Sequence, residues 1–150
     1  MRFLSASLLA LFAAVVACSS NPSYPPPVAC PSGGACACGS GNCACTSANC
    51  DITCPPAGSC NLQCTSGDCN NTCGAGPCNV ACNSGDCNTT CPSGGNCSVT
   101  CASGDCSTTC ASGSTCSAAC TSGSCTIQCD NGATCSCGAN CTCSGPGCRQ

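Results

Sequence analysis

The chain has 150 residues, of which 29 are cysteine, and only two Lys or Arg stand against five Asp or Glu, with no His, for a net charge of −3. So weak and acidic a charge excludes a basic surface for nucleic acid, and no His, Lys or Glu occurs anywhere in the chain to act as general base. Beyond Cys18 the only large apolar side chains are Tyr24, Val28, Ile52, Leu62, Val80, Val99 and Ile127. Burial on that scale does not offset the entropy of ordering such a chain, so cross-links must supply the difference, each disulfide contributing about 2–4 kcal/mol. The reduced chain is therefore expected to be disordered.

Residues 1–17 have signal-peptide anatomy. Arg2 precedes an apolar run from Phe3 to Ala17, too short for a spanning helix. The run ends Val15-Val16-Ala17-Cys18-Ser19-Ser20. This resembles the lipobox of bacterial lipoproteins, departing from it at Val15, where leucine is commoner. The resemblance implies lipidation of Cys18, which becomes the mature N-terminus; the other reading is an ordinary secretory cleavage near Ala17. Setting Cys18 aside leaves 28 cysteines, an even number fit for complete pairing in an oxidising compartment. Residues 18–29 carry three consecutive prolines and few packing residues, which predicts a lipidated N-terminus on a semi-rigid tether.

Residues 30–148 are repetitive. Units of the form Cys-x-x-x-Cys open at Cys50, Cys60, Cys69, Cys78, Cys87, Cys97, Cys106, Cys116 and Cys125. In an extended strand positions i, i+2 and i+4 share a face, so both cysteines and the central residue point one way and the two intervening residues the other. The linkers alternate between TSGD-like and PSGGN-like sequences, and the central residues alternate with them, Ile52, Asn71, Thr89, Thr108 and Ile127 interleaving with Leu62, Val80, Val99 and Ala118. The true period is therefore two strands. We expect an all-β, disulfide-rich, two-sided β-solenoid of 18–20-residue coils. The alternative is an antiparallel β-meander, which leaves a face of cystines open to solvent and two raw sheet edges. Tighter Cys-x-Cys pairs at Cys36/Cys38, Cys43/Cys45, Cys135/Cys137 and Cys141/Cys143 mark the ends as capping coils.

Two cysteines of one unit lie about 13 Å apart in extension, beyond the reach of a disulfide. Facing strands of a coil can pair, for example Cys87 with Cys101 and Cys91 with Cys97, or the same position in neighbouring coils can pair at about 4.8 Å strand spacing. The small central residues favour the cross-coil arrangement.

Candidate chemistry is sparse. A nucleophilic cysteine needs an activating cation, and only Arg149 is at hand, so the chain is read as non-enzymatic, with no cofactor and no small-molecule substrate evident. The Cys-x-Cys pairs resemble those of metallothioneins locally, but the export signal, the missing lysines and the strand-like spacing oppose a thiolate cluster. Asp68, Asp86 and Asp105 recur in equivalent SGD turns and would stack as a column. A divalent cation between them is a weak alternative to plain turn hydrogen bonding. Thr53, Thr72, Thr90 and Thr109 are expected in one outward column beside Asn70, Asn88 and Ser107. This ranked array resembles the flat face of insect antifreeze β-solenoids, which implies ice or another flat ligand, although the paired Thr-x-Thr of that family is absent. Asn70, Asn88, Asn96 and Asn140 head glycosylation sequons, which count only in a eukaryote.

The expected function is a non-enzymatic, lipid-anchored cell-envelope protein for structural or adhesive display. It would be held to the outer membrane by its N-terminal lipid, facing outward or into the periplasm, with a surface or extracellular partner. A secreted ice- or ligand-binding solenoid and a thiolate metal-binding protein are the alternatives.

Overall fold

The computed structural model describes residues 27–31, 33–39, 41–46 and 49–149. The leader, Cys18 and most of the tether lie outside this set. Short extended segments carrying Thr, Val and Ile between their cysteines alternate with Gly-, Ser- and Pro-containing turns, a composition that favours strand over helix. One sheet holds β1 (Val28–Cys30), β3 (Gly41–Cys45), β5 (Cys60–Cys64), β7 (Pro77–Cys82), β9 (Asn96–Cys101), β11 (Thr115–Cys120), β13 (Thr134–Cys137) and β15 (Cys148–Arg149). The other holds β2 (Ala35–Ala37), β4 (Cys50–Thr53), β6 (Cys69–Thr72), β8 (Cys87–Cys91), β10 (Asp105–Cys110), β12 (Ser124–Cys129) and β14 (Cys141–Ser144).

Every strand pairs in parallel with the strand two places along, as β8 does with β10 and β9 with β11. That is a two-sided β-solenoid, and it excludes the antiparallel meander, whose sequential strands would pair with each other. Eight stacked strands make a rod about 34 Å long at about 4.8 Å per coil.

Burial follows the period of two. In β5 and β8 alternate residues are buried, both cysteines and the centre facing inward. Sulfur therefore forms the two margins of the core. The midline of the odd-strand sheet is Leu62, Val80, Val99 and Ala118 in register, and that of the even-strand sheet is Ile52, Asn71, Thr89, Thr108 and Ile127. A core this thin suits small side chains, since the two sheets close on each other through cystine.

All 28 described cysteines are paired, each across a turn, from the last cysteine of one strand to the first of the next: Cys82–Cys87, Cys91–Cys97, Cys101–Cys106 and Cys110–Cys116 are typical. The favoured cross-coil pairing is thus incorrect. Of the facing-strand examples Cys91–Cys97 forms, whereas Cys87 bonds Cys82 and not Cys101. The reason is directional. Stacked cysteines of one sheet project their Cβ bonds side by side, while cysteines flanking a turn project theirs toward each other from opposing sheets. Their Cα atoms lie 5.4 to 6.4 Å apart, inside the range a disulfide accepts.

The end coils are built differently. Register places Cys43 beside Leu62, Cys36 beside Ile52, Cys137 beside Ala118 and Cys143 beside Ile127, all on the midline. Their disulfides, Cys30–Cys36, Cys38–Cys43, Cys137–Cys141 and Cys143–Cys148, run from midline to margin. The Cys-x-Cys spacing thus moves one cysteine inward by one side-chain pair and tapers the stack at both ends.

Candidate functional site

The SGD turns stack along one margin with serine, glycine and aspartate each in its own file, the serines and aspartates hydrogen-bonded from coil to coil. Ser66, Ser84, Ser103 and Ser122 each donate a hydroxyl hydrogen bond to a carbonyl of the preceding coil, at 2.8, 2.6, 2.7 and 2.5 Å. Gly67, Gly85, Gly104 and Gly123 have φ of 76°, 83°, 88° and 88°, the left-handed region that favours glycine. A Cβ on Gly85, Gly104 or Gly123 would fall on the carbonyl oxygen of the glycine one coil before. Only glycine therefore lets these turns nest.

The aspartates complete the turn. Asp68 Oδ1 accepts from the backbone N–H of Asp86 (3.1 Å), Asp86 Oδ1 from that of Asp105 (2.9 Å), and Asp105 Oδ1 from the N–H (3.1 Å) and hydroxyl (2.9 Å) of Ser124. Asn49 Oδ1 opens the file by accepting from the N–H of Asp68 at 3.2 Å. The column of Asp68, Asp86 and Asp105 is thus brought together as the sequence suggested, and one oxygen of each carboxylate has a built-in backbone donor. That an amide serves at Asn49 means negative charge is not what the turn requires.

The even-strand sheet presents an exposed two-column face. Thr53, Thr72, Thr90 and Thr109 align in one column, continued by Gln128. Asp51, Asn70, Asn88, Ser107 and Thr126 align in the other. The second column is wired internally, Asn70 Nδ2 donating to Asp51 Oδ1 (2.8 Å) and Asn88 Nδ2 to Asn70 Oδ1 (3.3 Å). Neighbouring polar groups are thus spaced about 4.8 Å along the rod and about 6.7 Å across it. Such a grid offers hydroxyls and amides in fixed rank and suits a regular hydrogen-bonding surface.

The opposite face has a comparable feature that the sequence reading missed. Asn61 Nδ2 donates to Asn42 Oδ1 (3.0 Å) and Asn79 Nδ2 to Asn61 Oδ1 (2.9 Å). Their signal was the Asn after or before cysteine in GNC, CNL and CNV. Beside this ladder Ala81 lies between Gln63 and Thr100 in register, and the small side chain leaves a shallow open depression.

The polar core residues stand where the strand period puts them, but that they lack partners was not legible in the sequence. Asn71, Thr89 and Thr108, 1–2% exposed, stack on the midline, and the Asn71 amide and both threonine hydroxyls have no hydrogen-bond partner. Comparison with known families, curated proteins and solved structures finds no match to this chain. What the fold itself defines is a class, the disulfide-clamped two-sided parallel β-solenoid.

Proposed function

We propose that the protein is a non-enzymatic, lipid-anchored rod of the cell envelope, serving structural or adhesive display. The supporting observation is where the tether joins. β1 is the terminal strand of its sheet, so a chain anchored through Cys18 enters at one end of the stack and the coils rise away from the membrane. A brace at both margins of nearly every coil suits a spacer that must keep its shape outside the cell. The anchor is tested by metabolic lipid labelling in a bacterial host. Wild type incorporates label and partitions into detergent, and Cys18→Ala does neither. Equal behaviour of both proteins, in the soluble fraction, would leave the secreted form.

A second reading, favoured by the aligned threonine column, is a secreted solenoid whose face binds ice or another flat ordered ligand. Thermal hysteresis of refolded protein, lost in Thr72→Tyr/Thr90→Tyr, would establish it. A third, constitutive thiolate storage of metal, requires free thiols, and thiol titration of the native protein decides it.

A further inference from the structure

We propose that the sulfur margin beside the SGD turns is a latent soft-metal site, opened by reduction of two adjacent disulfides, with Cys82, Cys87, Cys101 and Cys106 as the ligand set. Cys106 Sγ lies within 4.8 Å of both Cys82 and Cys87 Sγ, and Cys101 Sγ within 4.8 Å of both Cys120 and Cys125 Sγ. Cys101–Cys106 is therefore the middle disulfide of three in one continuous run of sulfur.

The shape of the contact matters. A thiolate that exchanges with a disulfide approaches along the S–S axis, so with about 3.5 Å to the near sulfur the far one would be about 5.5 Å away. Here both sulfurs of Cys82–Cys87 are within 4.8 Å of Cys106, a triangle and not a line. In a tetrahedral thiolate site metal–sulfur bonds of about 2.3 Å set sulfurs about 3.8 Å apart, a spacing that Cys82 and Cys87 can take only once the bond between them is broken. Loss of the two S–S bonds frees the side chains to rotate, with Cys82, Cys87 and Cys106 already gathered and Cys101 swinging in from outside that group, while the remaining disulfides keep the coils stacked. The four positions are 0–1% exposed, so the ion would sit away from water and competing ligands.

The chemistry balances with a dithiol as reductant. Each of two dithiols delivers two electrons and two protons to one cystine and leaves as a cyclic disulfide. The four resulting thiols release four protons as one divalent d10 cation binds. The site is independent of membrane anchoring, so it stands or falls apart from the display role.

The test uses purified native protein, reduced anaerobically with dithiothreitol to about two opened disulfides, desalted, and titrated with cadmium(II). Bound metal, thiolate-to-cadmium absorbance, circular dichroism and alkylation mapping are read together. We expect one cadmium per two disulfides opened, a retained β spectrum, and alkylation protection confined to cysteines of adjacent disulfides on this margin, with Cys82, Cys87, Cys101 and Cys106 prominent. In Cys101→Ser/Cys106→Ser, which separates the flanking disulfides by a sulfur-free coil margin, cadmium affinity at Cys82 and Cys87 should fall at least tenfold. Protection scattered over non-adjacent coils, no cadmium uptake by the folded two-disulfide-reduced protein, collapse of the β spectrum before cadmium binds, or unchanged affinity in the double variant would each overturn the proposal.

Discussion

Replacing Thr89 or Thr108 by valine should stabilise the protein. Both hydroxyls are buried on the core midline without a partner, and both positions align with Ile52 and Ile127 in the same file, so an aliphatic side chain fits the slot. A buried unsatisfied hydroxyl costs about 1–3 kcal/mol. Valine keeps the shape and suits a strand. The gain should be about 1–2 kcal/mol per site. The two sites touch through adjacent coils, so the double variant need not be additive. Because each coil contacts only its neighbours, global unfolding is a poor reporter. Native-state hydrogen exchange of the β8 and β10 amides, disulfides intact, reads the effect locally. Protection factors there should rise about tenfold, with β4 and β14, which pair with neither strand, little changed. A loss of protection equivalent to more than about 1 kcal/mol in Thr89→Val would refute the reasoning, because it would mean the hydroxyl had been satisfied.

The SGD turn makes two further predictions. Asp86→Asn keeps the oxygen that accepts from the Asp105 N–H, as Asn49 does for Asp68, and should change stability by less than about 0.5 kcal/mol, whereas Asp86→Ala should cost about 0.5–1 kcal/mol at this exposed site. Local exchange at Asp105 distinguishes them. Gly104→Ala combines a left-handed φ with a Cβ that lands on the Gly85 carbonyl oxygen, so it should cost more than about 2 kcal/mol and sharply lower the yield of oxidative refolding. Full reduction under native buffer conditions should abolish the β spectrum, since the aliphatic midline is thin; a spectrum unchanged by excess dithiothreitol would contradict the view that cystine holds the fold.

The strand grid was legible because a Cys-x-x-x-Cys unit fixes which side chains face inward, and the alternating linkers revealed that two strands make one coil. The Thr53-to-Thr109 column followed from the same count. Disulfide partners were misjudged because strand spacing satisfies the distance between stacked cysteines while saying nothing of the direction of their Cβ bonds. The midline position of Cys36, Cys43, Cys137 and Cys143 depends on register against the next coil, which a two-residue spacing does not encode. The SGD motif read as a turn, but its serine and aspartate bonds reach the coils before and after, and that offset exists only once the coils are stacked. Asn71, Thr89 and Thr108 were placed inward correctly. That they lack partners depends on the opposing sheet, whose midline of Leu62, Val80, Val99 and Ala118 has no side chain able to hydrogen-bond.

Disulfide mapping of the native protein, digested at acidic pH to prevent exchange and sequenced by mass spectrometry, bears most directly on the claim that each coil is clamped across its turns. The expected result is no free thiol among Cys30 to Cys148 and sequential links such as Cys82–Cys87, Cys91–Cys97 and Cys101–Cys106. Links between equivalent cysteines of neighbouring coils, such as Cys87 to Cys106, would contradict it.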